Sequence, residues 1–187
     1  MKIRKDRAAV AAPCAAVCAA FAVTIANAQP VLWDETVNGS FSSDRNNPTA
    51  LGDLPIGSAV VRGTTIGNDV FSFTVPAGAT VQDIILTAYT TDGGPGVINS
   101  GFNLFDDTGA FITGPSFGPG NIGDDILDVD LGPLNPPLVS LNEGFYGFDV
   151  IEFGLEASWE LTFDTVPAPS AAVTLALAGG FAARRRR

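Results

Sequence analysis

The sequence predicts an all-β protein: a single antiparallel β-sandwich of jelly-roll-like form, flanked by an N-terminal signal helix and a short hydrophobic C-terminal helix. Two observations predict the sandwich. Between residues 29 and 165, short apolar or alternating runs are separated by Gly, Pro, Asn and Asp, which is the punctuation of an all-β chain. Over the same range no long window follows the period of a helix. A segment of about 140 residues is one domain by size.

Residues 1–28 have the three parts of a secretory signal. A basic start is followed by an uncharged apolar run over residues 8–25 and then by small residues at Ala26 and Ala28. This order predicts export and cleavage after Ala28, so that the mature chain begins at Gln29. The alternative is an N-terminal membrane anchor that is not cleaved, which the alanine-rich run and the small-x-small site disfavour.

The body of the chain is strongly acidic once its two ends are set aside. Four of the 10 basic residues lie in the signal and four are Arg184–Arg187, which leaves Arg45 and Arg62 against 19 acidic residues, a net charge of −17. Such a surface repels nucleic acid and anionic membranes, so we expect neither as a partner. Both cysteines, Cys14 and Cys18, fall in the signal, which excludes disulfides and thiolate ligands from the mature chain.

The clearest strand is Asp69–Val75. Its alternation places Phe71 and Phe73 on one face, which we expect to be the core face. Seven further strands are predicted at Ala59–Arg62, Thr80–Thr90, Phe102–Phe105, Ala110–Thr113, Asp125–Leu131, Phe145–Phe153 and Trp159–Thr165. The turn formers of residues 106–109 join two of these into a hairpin over Phe102–Thr113, and residues 114–123 are predicted to be a loop.

Three short segments of the body resemble the bacterial pre-peptidase C-terminal type of β-sandwich domain. They are residues 68–78 (NDVFSFTVPAG), residues 102–109 (FNLFDDTG) and residues 141–146 (LNEGFY). In that family such segments form a strand entering a turn, an Asp-x-x-Gly hairpin and an element near the final strands. The resemblance spans about residues 58–165 and implies a fold and an accessory role, with no reaction of its own.

The sharpest cluster of chemical groups is an aspartate row over residues 123–131. As a strand, this segment would place Asp124, Asp128 and Asp130 on one face together with Ile126. Carboxylates spaced in this way repel one another, and a hard cation that prefers several oxygen ligands relieves the repulsion. The row therefore predicts a Ca²⁺ site. The alternative is a charged edge strand that prevents aggregation.

Catalytic chemistry finds little support in the sequence. The mature body holds no His, Lys or Cys to act as a base or nucleophile beside a serine, so triad hydrolases are excluded. A glycosidase built on two carboxylates stays open, although no pair stands out. Four aromatic residues are candidates for a polysaccharide platform, namely Trp33, Tyr89, Tyr146 and Trp159. The alternation around Trp159 favours the core, which leaves Tyr89 as the better ligand candidate.

Residues 166–187 form a tail of different composition. Val166-Pro167-Ala168-Pro169 is followed by fourteen uncharged residues and by Arg184-Arg185-Arg186-Arg187. A helix of fourteen residues reaches roughly 21 Å, short of the roughly 30 Å hydrocarbon core, and terminal arginines hold this end on the cytoplasmic side.

The tail resembles the PEP-CTERM sorting signal, with Ala168 where that family usually has Glu. The resemblance implies processing by an exosortase-type membrane protease in bacteria that make extracellular polysaccharide. An ordinary tail-anchored helix is the alternative, and both place the body outside the cytoplasmic membrane.

These features predict an exported, non-enzymatic protein of the envelope or extracellular matrix. The predicted partners are the exosortase-type protease, extracellular polysaccharide and, transiently through the tail, the inner membrane. The alternative function is a Ca²⁺-dependent carbohydrate-binding module, which requires stabilisation by the metal. The predicted organisation is residues 1–28 as signal, 29–165 as sandwich and 166–187 as sorting tail.

Overall fold

The computed structural model describes residues 28–92, 100–129, 137–138, 140–154 and 156–168. Its strands are β1 Val31–Asp34, β2 Thr49–Asp53, β3 Gly57–Thr65, β4 Asn68–Val75, β5 Ala79–Thr91, β6 Ser100–Phe105, β7 Phe111–Thr113, β8 Ser116–Phe117, β9 Gly144–Glu152 and β10 Ala157–Pro167, with one short helix, α1 Glu35–Asn38, and a 3₁₀ turn at Pro119–Asn121.

Two sheets face each other across one core. The four-stranded sheet has the order β1-β3-β10-β5, and the six-stranded sheet has the order β2-β4-β9-β6-β7, with β8 paired to β6. The protein is thus an all-β sandwich, as the sequence predicts. Two pairings depart from the purely antiparallel arrangement that was expected, because β1 runs parallel to β3 and β2 runs parallel to β4.

The core is rich in aromatic rings because the central strands alternate. Phe71 and Phe73 of β4 are almost fully buried, which confirms the core face predicted for this strand. The ring of Phe71 lies 5.0 Å from that of Phe148 in β9, and the ring of Phe73 lies 5.1 Å from that of Phe163 in β10. Such contacts add to the free energy gained by burying each ring.

Most predicted strands are present, with somewhat different ends. The hairpin over Phe102–Thr113 is confirmed, since β6 and β7 pair with Leu104 opposite Thr113. The loop predicted over residues 114–123 contains the short β8 and the 3₁₀ turn. β1 and β2 were not predicted. The two terminal helices lie outside the described residues. Within the described part, no helix is long and apolar enough to cross a membrane.

The strand predicted over Asp125–Leu131 is wrong for the described residues 125–129. Asp125 makes an isolated bridge to Ile85, and a turn follows. The carboxylate Oδ1 of Asp125 accepts hydrogen bonds from the backbone N–H groups of Ile84 (2.9 Å) and Leu127 (3.0 Å). This clamp turns the chain tightly enough to bury Ile126 and Leu127 together, whereas a strand would place them on opposite faces.

The segment between α1 and β2 pairs with the edge of β4 in the six-stranded sheet. The backbone N–H of Val70 in β4 donates to the carbonyl of Ser42 at 2.7 Å, and Thr49 returns to the same edge opposite Phe71. The loop between these two pairings, residues 43–48, which we call the crossing segment, carries Arg45, whose side chain reaches past β4 to Asp149 of β9.

Candidate functional site

An ion pair joins the crossing segment to the six-stranded sheet. The Nε of Arg45 donates to Oδ2 of Asp149 at 2.6 Å, and Nη2 contacts the same oxygen. Asp149 is fully buried, whereas 53% of the Arg45 side chain is exposed. A guanidinium that reaches a carboxylate with two nitrogens is held in a fixed orientation. The arginine is therefore fixed at its inner end and open to solvent at its outer end.

Asp149 is incompletely satisfied in the part of the chain that the structure describes. Its Oδ1 is buried there without a hydrogen-bond partner. Burial raises the pKa of the Asp149 carboxyl, and the hydrogen bond and charge of Arg45 counter that rise. Arg45 is the group that keeps this buried carboxylate charged, since no other described basic residue lies within ion-pair distance of it.

A cavity of about 310 Å³ opens beside this ion pair, and we call it the Arg45 cavity. It lies between the crossing segment, the β6–β7 turn and the outer face of β9, and it is lined by Arg45, Asn46, Pro48, Val70, Phe105, Asp106, Asp107, Gly109, Phe145, Gly147, Phe148 and Asp149. Its volume falls at the lower end of the range typical of small-ligand sites, roughly 300 to 1,000 Å³.

Two phenylalanine rings give the Arg45 cavity an apolar part. Phe145 on β9 is 47% exposed, and Phe105 at the end of β6 is half-buried. The guanidinium carbon of Arg45 lies 4.8 Å from the centroid of the Phe105 ring, a cation–π geometry that fixes the arginine further.

Gly147 forms the floor of the cavity. It lies between Phe145 and Asp149 on the outer face of β9 and directly opposite Phe105 of β6. A Cβ added at Gly147 would meet only the Cβ of Phe105, at an ordinary 3.8 Å. The space above this glycine is therefore open, and the strand itself does not require a glycine here.

The β6–β7 turn forms the remaining wall and is fixed by Asp106. Its Oδ1 accepts from the backbone N–H of Thr108 (2.9 Å), the hydroxyl of Thr108 (2.6 Å) and the backbone N–H of Ala110 (2.8 Å). These bonds lower the pKa of Asp106, the Thr108 hydroxyl most strongly. Asp106 thus has the turn-forming role that the sequence favours. Asp107 beside it is exposed.

A second cavity, of about 220 Å³, lies on the four-stranded sheet, and we call it the Arg62 cavity. The Nε of Arg62 lies 3.7 Å from Asp34 and 3.6 Å from Glu160, and all three side chains are partly exposed. Short polar side chains surround them, including Thr64 and Ser158, whose hydroxyls are 3.0 Å apart. No ring of this cavity is exposed, because Tyr89 and Trp159 beneath it are buried.

A further carboxyl lies inside the sandwich. Asp69 is 6% exposed, and its Oδ2 accepts from the indole Nε1 of Trp159 at 3.2 Å. Burial, with a contribution from the charge of Glu35, raises the pKa of Asp69 to about 7. No described arginine pairs with it.

Two of the three residues predicted to hold Ca²⁺ lie in the described part of the chain. Asp124 and Asp128 are both exposed, and Oδ2 of Asp124 accepts from the side-chain amide of Asn121 at 2.9 Å. Asp130 lies outside the described residues. Within the described part, no group of three or more acidic side chains could hold a metal. Two exposed carboxylates fall short of the six to eight oxygens that Ca²⁺ takes, so the Ca²⁺ site stays a prediction.

None of the four aromatic residues considered from sequence offers an open ring face. Trp159 is 2% exposed, which confirms its place in the core, and Tyr89 is 3% exposed with its hydroxyl 2.7 Å from that of Ser100. The preference for Tyr89 as a ligand residue is therefore wrong. Register shifts between β5 and β10 bring Tyr89 to the core face. Trp33 and Tyr146 are partly buried against the core.

The first residues of the predicted sorting tail belong to the sheet. Val166 and Pro167 continue β10 opposite Thr80 and Ala79, and the backbone N–H of Ala168 donates to the carbonyl of Gly78 at 2.8 Å. Of the predicted signal cleavage site, Ala28 is exposed. Ala26, Pro169 and Arg184–Arg187 lie outside the described residues.

Sequence reasoning missed the residues that line the Arg45 cavity. Two signals were present in β9: a glycine in the middle of a strand, which marks open space or a close approach, and an aspartate within an otherwise apolar run. Arg45 itself carried no signal of its partner, which lies 104 positions away.

Comparisons with known proteins give limited similarity. No family model matches the chain, and no curated protein matches it. Among solved structures, the pre-peptidase C-terminal domain of collagenase from Bacillus anthracis is similar at 17% identity and a TM-score of 0.37, covering 64% of this chain and 98% of that one. PliG, a periplasmic inhibitor of g-type lysozyme from Aeromonas hydrophila, is similar at 18% identity and a TM-score of 0.30, covering 63% and 96%.

Proposed function

We propose that the protein is an exported, non-enzymatic domain of the cell envelope or extracellular matrix, associated with extracellular polysaccharide. An N-terminal signal directs its export, and an exosortase-type membrane protease processes its C-terminal tail. Before processing, the tail holds the domain transiently at the inner membrane.

The position of the folded domain between the two sequence signals carries this proposal. Near the predicted cleavage site, the backbone N–H of Val60 donates to the carbonyl of Pro30 at 2.9 Å. At the other end, β10 closes with the bond from Ala168 to Gly78. All the buried hydrophobic residues of the described part lie between Phe41 and Phe163. Removal of both ends would therefore leave this core intact.

The chemistry of the cavities supports a non-enzymatic role. Two of the three acids of the Arg45 cavity, Asp149 and Asp106, are engaged in an ion pair and in a turn, and the mature body has no His, Lys or Cys to act as base or nucleophile. We expect the purified protein to be inert in glycosidase, esterase and peptidase assays. Turnover that is lost on replacing one acidic residue would contradict a non-enzymatic role.

Export and processing are tested in a bacterium that makes extracellular polysaccharide and has an exosortase-type protease. We expect the native chain to be recovered outside the inner membrane, beginning at Gln29 and lacking its arginine tail, by mass spectrometry of each fraction. Replacement of Arg184–Arg187 by Ala should leave the protein uncut in the membrane fraction. Arg62→Ala is the matched control, because it removes an arginine from the domain and leaves the tail unchanged. Equal processing of all three chains would contradict the role of the tail.

A further inference from the structure

We propose that the Arg45 cavity binds one neutral sugar residue of a polysaccharide, without a metal ion. This inference rests on the proposed function only for the place, outside the cell, where the protein meets the polysaccharide. The binding itself is argued from the polar groups, the rings and the open floor of the cavity.

The polar groups of the cavity can both donate and accept hydrogen bonds. Nε and Nη2 of Arg45 are turned to Asp149, whereas Nη1 has no partner among the described residues and belongs to a half-exposed side chain. The exposed carboxylate of Asp107 on the opposite wall is an acceptor. Sugar hydroxyls donate and accept at once, so a polyhydroxylated ring can satisfy both walls.

The donor is held in place before any ligand arrives. Asp149 binds the guanidinium from below and Phe105 packs against its face. A fixed donor loses little conformational freedom on binding, which favours affinity for a weakly binding ligand such as a sugar. Asp149 is thus a positioning residue, which acts on the ligand through Arg45.

The apolar C–H face of a sugar ring has a matching surface. Phe145 is 47% exposed on the outer face of β9, and burial of an exposed ring against C–H groups is favourable. Gly147 lies one step of the outer face away from Phe145, about 6.6 Å along the strand. The open space above Gly147 lies between the Phe145 ring and the Arg45–Asp149 pair.

Charge and hydrogen bonding favour a neutral ligand. An anionic ligand would meet the carboxylates of Asp106 and Asp107 on the turn and the net negative charge of the whole body. A cationic group cannot accept a hydrogen bond from the Arg45 guanidinium, which stands 53% exposed at the cavity wall. A neutral ligand that combines hydroxyls with an apolar face uses the donor, the acceptors and the rings.

The test is native gel electrophoresis of the purified protein, with polysaccharides cast into the gel. The acidic protein migrates readily towards the anode, and binding to an immobile polymer retards it. The probes are three neutral polymers (dextran, mannan and galactan), anionic alginate and cationic chitosan. We expect retardation by at least one neutral polymer, unchanged by EDTA, and none by alginate. Chitosan attracts the acidic body through net charge alone, so any retardation by chitosan should be the same in the native protein and in its variants.

Variants locate the site. Gly147→Val adds a branched side chain to the floor, where its Cβ would meet the Cβ of Phe105 at an ordinary 3.8 Å, and should weaken the retardation at least tenfold while the thermal unfolding midpoint stays near the native value. Ala88→Val, a small exposed residue at the Arg62 cavity, is the matched control and should bind normally. Phe145→Ala should also lose binding, whereas Phe153→Ala, which removes a still more exposed ring away from the cavity, should not.

Each other outcome overturns the inference. Absence of retardation by all three neutral polymers excludes a neutral sugar site, and retardation by alginate that Gly147→Val abolishes assigns the cavity to an anionic ligand. Equal binding by native protein and Gly147→Val places the site elsewhere. Loss of binding in Ala88→Val alone assigns it to the Arg62 cavity. Because the purified protein is used, these results do not depend on whether the tail is processed as proposed.

Discussion

The two arginines between residues 29 and 165, Arg45 and Arg62, contact opposite sheets in different electrostatic settings. Arg45 meets one fully buried carboxylate through a direct hydrogen bond of 2.6 Å. The Nε of Arg62 lies between two partly exposed carboxylates at 3.6 and 3.7 Å. Both pairs are ion pairs by distance, yet they differ in how much the solvent screens them.

This difference decides which arginine is fixed in place. A buried carboxylate has no water to replace its partner, so removing Arg45 leaves the negative charge of Asp149 buried and unpaired in the sheet. The carboxylates around Arg62 stay hydrated when it leaves, and pairs of that kind contribute about 0 to 1 kcal/mol. Arg45 also packs against an aromatic ring, whereas no described ring contact involves Arg62. We therefore assign the ligand site to the Arg45 cavity.

The largest expected effect concerns Asp69, a buried carboxyl with neither arginine beside it. Burial raises its folded-state pKa to about 7, from the ordinary value of 3.8 for an aspartate. Between these values the folded state binds more protons than the unfolded state, so the free energy of unfolding decreases as the pH rises from 4 to 7. The difference corresponds to roughly 4 kcal/mol.

Chemical denaturation at pH 4.5, 6 and 7.5 measures this effect. Asp69→Asn should show a much smaller loss of stability across the range than the native chain, because the asparagine does not titrate. Repeating the series in 0.5 M salt controls for repulsion among surface acids, which salt screens and burial does not. Identical pH profiles for the two proteins would show that Asp69 is not the titrating group.

The next effect is the loss of Arg45. Arg45→Ala should lower the free energy of unfolding by about 2 to 3 kcal/mol at pH 7, somewhat less than for fully buried pairs because half of the arginine is exposed. The midpoint of thermal unfolding should fall by several degrees. The double variant Arg45→Ala/Asp149→Asn should recover more than half of the loss, because it removes the stranded charge. A double variant as unstable as the single one would mean that packing, and not charge, dominates.

A smaller effect is expected at the other sheet. Arg62→Ala should change the free energy of unfolding by at most about 1 kcal/mol, and raising the salt concentration should reduce even that difference. Denaturation of Arg62→Ala beside Arg45→Ala at two ionic strengths gives the comparison directly. Equal losses at the two sites would remove the distinction between them.

The smallest effect is expected from calcium. With Asp124 and Asp128 exposed and no cluster of three acids in the described part, we expect thermal unfolding curves in EDTA and in millimolar Ca²⁺ to coincide at one ionic strength. A ligand that binds the folded state raises its stability by RT ln(1 + [L]/Kd). A rise of several degrees that Asp128→Ala abolishes would therefore restore the calcium-dependent module.

Local patterns predicted the centre of the fold and not its edges. The alternation of Asp69–Val75 and the turn of residues 106–109 are encoded in neighbouring residues, and both predictions are confirmed. The parallel strands β1 and β2 were not predicted because each is short and mostly unburied and depends on a partner distant in the sequence.

The candidate site was harder to predict because its geometry is not local. The aspartate row has the two-residue period of a strand. Asp125 instead accepts hydrogen bonds from backbone N–H groups, and the chain turns there. The Arg45–Asp149 pair spans 104 positions, and only the fold brings the two together. Gly147 and Asp149 were visible as irregularities within a strand, without an indication of what they surround.

The most direct test uses the arginine side chains themselves. After both ends are removed, the chain has two arginines, so the ¹⁵N spectrum should contain two Nε–H signals, assigned through Arg62→Lys. We predict that the Arg45 signal shifts on addition of an oligosaccharide cut from the neutral polymer that retards the protein, whereas the Arg62 signal does not move. A shift confined to Arg62, or no shift at Arg45, would contradict the account.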